Sequence, residues 1–180
     1  MNRLAHYLRM CYRLTLNADK QEEALWKEMK KFHLQQDYPS GIYEKERTIS
    51  TTLKLTDNKS ETFSYSLVFG QYYCNVRLIR SYPEELSPEI FILTTHLNNI
   101  LTEGGVSVNT EEQYVEYTIR KDILVTLLYP GYIYERMNRH YKVARRLHQA
   151  FTRLINENEA PALIVADILK SLEKEDKESD

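Results

Sequence analysis

The chain has 180 residues, of which 42% are apolar and 28% are charged, a balance typical of a globular protein that can bury a sizeable core. Its formal net charge of −2, from 24 basic and 26 acidic residues, argues against a dedicated nucleic-acid binder. Two cysteines, Cys11 and Cys74, are too few for a disulfide-rich secreted scaffold or a cysteine zinc site. We expect reduced thiols in a cytoplasmic protein, and a single bridge between the two stays open.

The N-terminal sequence predicts neither export nor a membrane anchor. His6, Arg9 and Arg13 interrupt every apolar run, whereas a signal peptide needs an apolar core of about 7–15 residues. No window holds the roughly 18 consecutive apolar residues of a membrane-spanning helix. We therefore predict that the protein has no membrane partner.

The first part of the chain predicts one helix and leaves one segment undecided. Residues 3–16 fit a helix and a strand equally well, and both remain open. Asn17-Ala18-Asp19 then offers a helix cap, and residues 19–34 have the early glutamates and late lysines that suit a helix dipole. Pro39 and Gly41 predict a turn or loop at 38–41.

A period of two begins after this turn and predicts strands. Apolar and polar residues alternate in three runs, at 49–55, 63–69 and 72–78, which short turns connect. Such alternation indicates an antiparallel meander with one buried face. Cys74 lies at an inward position of the third run, so we expect a buried structural thiol there.

One clearly delimited helix follows the meander. Ser87 is a plausible N-cap, Pro88 suits the first helical position, and Gly104 suits the end of the helix. Helical spacing gives one apolar stripe, formed by Ile90, Leu93, Thr94, Leu97, Ile100 and Leu101. This stripe predicts a helix that packs on the sheet.

The last part of the chain predicts a hairpin and two helices. Val106 and Val108 pair in pattern with 115–119, and the apolar run that starts at Ile123 either extends that strand or begins a buried turn. A long helix is expected over 132–156, followed by a helix that Asn158 caps. These elements complete an α+β fold in the order α-β-β-β-α-β-β-α-α, with helices on an antiparallel sheet of about five strands. We assign residues 1–170 to a single domain and expect the charged residues 171–180 to be a disordered tail.

The sequence contains no pattern that demands catalysis. Phosphate-binding loops, dinucleotide glycine fingerprints and the common nucleophile and zinc motifs are missing from it. His140 and His148 are eight residues apart on the long helix, or about 12 Å along its axis, which is too far for one metal ion. We expect His140 on the helix surface. The sequence therefore predicts no catalytic residue, no cofactor and no metal site.

The long helix is unusually basic on its exposed side. Glu135 is its only carboxylate between residues 132 and 153. We predict a partner-binding surface formed by Arg136, Arg139, Lys142, Arg145 and Arg146. The alternatives are a solvated face balanced by the acidic C-terminal tail, and phosphate contact with a nucleic acid through 132–156.

The order of elements from about Thr48 to Ile155 resembles a known fold. The pattern lies in Phe63-Ser64-Tyr65-Ser66-Leu67, Val76-Arg77-Leu78-Ile79, Leu97-Asn98-Asn99-Ile100-Leu101, Gly105-Val106-Ser107-Val108-Asn109 and Tyr114-Val115-Glu116-Tyr117-Thr118-Ile119. In this order the chain resembles the type III secretion chaperone-like fold, and within it the bacterial YbjN-like group. The resemblance implies a sandwich of sheet and helices, often a homodimer, that binds proteins without hydrolysing anything.

The sequence thus favours a cytoplasmic, bacterial-type module that binds another protein. This hypothesis and its two alternatives each predict a different surface. A chaperone-like or regulatory adaptor predicts an apolar or tyrosine-rich groove on the sheet or along the middle helix. A small enzyme with a site from distant residues predicts a deep pocket with convergent polar groups. A nucleic-acid binder predicts a contiguous basic face centred on Arg139, Lys142 and Arg146.

Overall fold

A computed structural model describes residue 8 and residues 11–35, 40–128 and 131–179. Within these ranges, the description excludes the side chains of residues 125, 127, 128, 131–134, 136 and 173–179. The helices are α1 (Ala18–Gln35), α2 (Ser87–Ile100), α3 (Ile123–Leu128), α4 (Gly131–Glu157) and α5 (Pro161–Ser179). The strands are β1 (Ser40–Tyr43), β2 (Thr48–Thr56), β3 (Lys59–Val68), β4 (Gln71–Ile79), β5 (Gly105–Asn109) and β6 (Tyr114–Asp122).

The predicted α+β fold is confirmed for the part of the chain that the structure describes. Six strands form one antiparallel sheet in the order β1-β2-β3-β4-β6-β5, with helices packed on it. The predicted alternation is visible as burial along β3 and β4, since every second side chain is buried in β3 (Glu61, Phe63, Tyr65 and Leu67) and in β4 (Tyr72, Cys74, Val76 and Leu78). The helices cover one face of this alternation, as expected for an antiparallel sheet with one buried side.

Two elements differ from the prediction. The segment predicted as a turn at 38–41 contributes β1, which pairs with β2 from Ser40↔Thr51 to Tyr43↔Thr48. The apolar run that starts at Ile123, predicted as a strand extension or a buried turn, is the helix α3. The undecided N-terminal segment is helical at residue 8 and at 11–14, and its other residues before 11 lie outside the described residues.

The helix caps were predicted with mixed success. The side chain of Asn17 accepts a hydrogen bond from the backbone N–H of Lys20 at 3.1 Å, which confirms the cap of α1. Ser87 is not an N-cap, because a 3-10 turn at Glu84–Leu86 leads directly into α2 and Ser87 already has helical dihedral angles. Asn158 does not cap α5 either. It has a φ of 53° directly after α4, and α5 begins only at Pro161.

The chain divides into two compact units. The first unit contains Met1–Asn75 and Ile119–Tyr141, and in it α1 packs against α3. The second unit contains Val76–Thr118 and Lys142–Asp180, and in it α2 packs against β5 and α5. The assignment of 1–170 to a single domain stays a prediction, as does the disordered tail, although the helix α5 runs to Ser179.

None of the helices in the described ranges combines the length and the apolar character that a membrane crossing requires. Both cysteines are free thiols, with Cys11 half-buried and Cys74 buried. The bridge between them that the sequence left open is therefore not formed.

Candidate functional site

The second unit contains an apolar groove of about 290 Å³ between three helices. Its floor is formed by Leu97 near the end of α2, Leu147 in α4 and Ile168 in α5, each of which is at most 8% exposed. Helical spacing explains why these three meet. Each belongs to the apolar stripe of its own helix, and α2 and α5 pack against each other.

The rim of the groove is apolar and only partly covered. Ile100 and Leu101 border it where α2 ends, Val143 borders it from α4, and Leu172 borders it from α5. All four side chains are half-buried, so each still presents apolar surface to solvent. A contiguous apolar surface of this kind is a common feature of ligand or protein binding sites.

The groove also holds one of the predicted basic residues. Arg146 lines it and is half-buried. Lys142 and Arg145 lie within the same turn of α4, in the same unit, and both are exposed. The sequence of α4 has no carboxylate between Arg136 and Arg153, so the charged side chains that α4 contributes next to the groove are basic.

Two further basic residues of α4, Arg139 and Arg153, do not line the groove. Arg139 is exposed and belongs to the first unit, and the side chain of Arg136 lies outside the described residues. Arg153 is held by carboxylates, because its Nε and Nη2 atoms each donate to Glu159 at 2.6 Å and Nη2 also donates to Asp167 at 2.8 Å. The hydrogen bond from Arg153 lowers the pKa of Asp167. Arg153 therefore joins the end of α4 to α5 and is not available as a binding cation.

A second cavity of about 420 Å³ in the same unit has both polar and apolar walls. Glu89, His96 and Glu159 line it together with the loop between α4 and α5. One carboxylate oxygen of Glu89 is buried without a hydrogen-bond partner among the described residues. No group of three His, Cys, Asp or Glu side chains in that part of the chain is placed to hold a metal ion.

The first unit contains the one cysteine–histidine pair that could suggest catalysis in the described structure. The Sγ of Cys74 lies 2.9 Å from the Nδ1 of His140, and each residue is 1% exposed. Burial raises the pKa of the Cys74 thiol well above its ordinary value, against the opposing effect of a hydrogen bond from Tyr65. Burial also lowers the pKa of His140 to about 3. Both partners are thus neutral at pH 7, whereas an active thiolate needs a cationic neighbour.

The prediction that His140 lies on the helix surface is wrong. His140 occupies the buried stripe of α4 with Met137, Ala144 and Leu147, and the edge of its ring packs against Phe63 at a centroid distance of 5.4 Å. The spacing of three and four residues from Met137 to Ala144 was the signal that could have placed it there. The expected burial of Cys74 is confirmed.

A second buried polar group in the first unit connects a helix to the edge of the sheet. The Nδ1 of His33 lies 3.2 Å from the hydroxyl of Thr51, and that hydroxyl lies 3.0 Å from the hydroxyl of Ser40. His33 and Thr51 are buried, whereas Ser40 is exposed. Burial lowers the pKa of His33 to about 4, so this chain of three groups contains a neutral imidazole at pH 7.

The structure therefore brings Arg146 to an apolar groove, whereas Lys142, Arg145 and Arg139 do not line it. The sequence missed the groove itself, because its walls come from three segments far apart in the chain. Comparison of the chain with protein-family models gave no match, and a search among curated proteins gave none either.

Proposed function

We propose that this protein is a non-catalytic protein-binding module, with the role of a chaperone-like or regulatory adaptor. The observation that carries the proposal is the apolar groove of the second unit with its basic side. At about 290 Å³ it is at the lower limit of ordinary small-molecule sites, which begin at about 300 Å³. A groove of this size suits one or two side chains of a partner better than a whole cofactor.

The occupant that fits is a segment of another protein that presents aliphatic side chains next to carboxylates. The floor at Leu97, Leu147 and Ile168 would receive the aliphatic side chains. Burial of one Leu-sized side chain contributes about 1.5–3 kcal/mol, before the cost of association is subtracted. We therefore expect weak and reversible binding, with a Kd in the micromolar range or above.

Charge supports the choice of an acidic segment. Arg146 lines the groove, and Lys142 and Arg145 lie within one helical turn of it on α4. Complementary charges mainly raise the association rate and the specificity. A nucleic acid is a weaker candidate, since no aromatic side chain among the described residues lines the groove for base stacking and the whole chain has a net charge of −2.

The resemblance to the type III secretion chaperone-like fold agrees with this role and adds two expectations. One is a homodimer, and the other is a location in the cytoplasm of a bacterium. The two free thiols are compatible with a reducing compartment. Both expectations form part of the proposal. The mass of the native complex tests the homodimer, and fractionation of the source cells tests the location.

The proposal can be tested with a synthetic amphipathic peptide that carries leucines at helical spacing and glutamates between them. Its binding to the labelled protein is followed by NMR and by fluorescence anisotropy at low and high salt. Two matched peptides serve as controls, one with lysines in place of the glutamates and one with serines in place of the leucines. We expect measurable binding of the acidic peptide alone, weakened by salt.

Variants then assign the binding to the groove. Leu101→Ser should remove an apolar contact at the rim, and the double variant R145E/R146E should repel the acidic peptide. Phe91→Ser and Lys45→Glu are the controls, because both residues are exposed and neither lines the groove. Equal affinity for the acidic and basic peptides, or unchanged binding in both groove variants, would contradict the proposal. Steeply salt-dependent binding of an oligonucleotide would favour the nucleic-acid alternative instead.

A further inference from the structure

The strand β5 lies at one end of the sheet. The outer edge of such a strand can pair with another chain. Its inner edge pairs with β6 in a regular antiparallel register, from Gly105↔Thr118 to Asn109↔Tyr114. In such a ladder, backbone groups point alternately toward the neighbouring strand and away from it. The backbone N–H and C=O of Val106 point away from β6, because both are bonded to the side chain of Asn98. Val108 lies two residues further along the strand, so its backbone groups also point outward.

The side chain of Asn98 occupies the position that a neighbouring strand would take beside Val106. Its Nδ2 donates to the carbonyl oxygen of Val106 at 3.0 Å, and its Oδ1 accepts from the N–H of Val106 at 2.7 Å. These are the two hydrogen bonds that a residue of an added antiparallel strand would exchange with Val106. Asn98 belongs to the last turn of α2, which packs on β5, so the amide is held in place by the helix.

The strand itself lacks the usual protection of an edge. Lys, Pro and inward-pointing charges commonly prevent an edge strand from pairing with another chain. The segment Gly105-Val106-Ser107-Val108-Asn109 contains no charge and no proline. It is also nearly symmetric about Ser107, with a β-branched residue on each side. An antiparallel pair of two such strands would place Val106 opposite Val108 of the second copy and Ser107 opposite its own counterpart.

We propose that Asn98 is a plug on the outer edge of β5, which prevents β5 from pairing with β5 of a second copy of this chain. The symmetric pairing uses the outward groups of both Val106 and Val108, and Asn98 already holds those of Val106. This role is separate from the groove, which the neighbouring residue Leu97 lines. It assigns a function to Asn98 in the last turn of α2.

The wild-type protein provides the first test through amide hydrogen exchange. The N–H of Val106 should be protected, because Asn98 accepts from it, and the N–H of Val108 should exchange several-fold faster. Equal exchange rates at the two amides would overturn the proposal, since a plug protects only the position that it fills.

The second test replaces Asn98 and measures self-association by analytical ultracentrifugation, relative to the state of the wild-type chain. In Asn98→Ala the freed pairing positions should strengthen self-association by at least about tenfold, because the symmetric pair gains four hydrogen bonds, two at Val106 of each copy. Asn98→Asp keeps the acceptor and the shape but loses the donor, so it covers the case in which the alanine variant fails to fold, and it should give a smaller increase. Asn99→Ala, at the adjacent exposed position, should behave as wild type.

A third variant identifies the edge that pairs. Val108→Pro removes an N–H that points away from β6, so the pairing with β6 is retained. The outer edge of β5 then lacks the N–H that Val108 would donate to a second copy. Combined with Asn98→Ala, it should return self-association to the wild-type level. The proposal is overturned when folded Asn98 variants associate no more than wild type, or when the added proline leaves their association unchanged.

Discussion

Acidification should destabilise this protein already above the pH at which its carboxylates titrate, because two histidines are buried in neutral form. His140 is 1% exposed, and burial lowers its pKa from 6.5 to about 3. His33 is 2% exposed, and its pKa is lowered to about 4. In the unfolded chain both imidazoles recover ordinary pKa values and take up protons below about pH 6.5.

The direction of the effect follows from proton linkage. The unfolded state binds more protons than the folded state between about pH 6.5 and the lowered values, so the free energy of unfolding falls as the pH falls through this window. A pH of 5 lies about 1.5 units below the pKa that His140 has in the unfolded chain. At 1.36 kcal/mol per unit, His140 therefore lowers the free energy of unfolding by about 2 kcal/mol at this pH. His33 adds up to the same amount. A loss of about 2–4 kcal/mol is large for domains that are stable by about 5–15 kcal/mol.

Urea unfolding followed by circular dichroism at several values between pH 7.5 and pH 5.0 measures this loss. His140→Gln should reduce the slope of the unfolding free energy against pH by about 1.4 kcal/mol per unit, whatever its effect on stability at pH 7.5. His96→Gln is the control, because His96 is exposed. A free energy of unfolding that is the same at pH 7.5 and pH 5.0, or a slope that His140→Gln leaves unchanged, would refute the reasoning.

Two further substitutions test local features. Phe69 is 97% exposed and has a φ of 49° in the turn before Gly70, so Phe69→Asn should raise the free energy of unfolding by about 0.5–1 kcal/mol in urea titrations, and a decrease would contradict this explanation. Arg153→Ala removes the bonds to Glu159 and Asp167 and should lower the Tm by about 2–4 °C, with a smaller decrease for Arg153→Lys, whereas equal Tm values for all three proteins would show that the pairs contribute nothing.

The sequence predicts those parts of the fold in which a local pattern coincides with burial. The alternation in β2, β3, β4 and β6 identifies the inward side chains, and the stripe of α2 identifies Ile90, Leu93, Thr94 and Leu97, all of which are buried. Two elements could not be predicted, because their sequences show no recognisable period of apolar residues. β1 has only four residues, and α3 is apolar at every position except Thr126, so neither a period of two nor one of 3.6 can be recognised.

The candidate site was only partly predictable for a different reason. The excess of basic residues on α4 is visible in the sequence, and Arg146 does reach the groove. The groove itself depends on how α2, α4 and α5 pack in the second unit, which no local pattern contains. Asn98 shows the same limit, since its sequence signal is only a polar residue near a helix end, and its role depends on the strand beside it.

The hydrogen bonds from Ser40 through Thr51 to His33 connect β1 to α1 and affect how the first unit opens. Short edge strands and helix ends usually fray independently and exchange their amides quickly. Here the loss of β1 would remove a partner from Thr51, and the loss of α1 would remove the other. We therefore expect the amides of β1 and α1 to exchange at similar rates, as members of one cooperative unit, so that the outermost strand of the sheet is as slow to open as the helix that contributes His33.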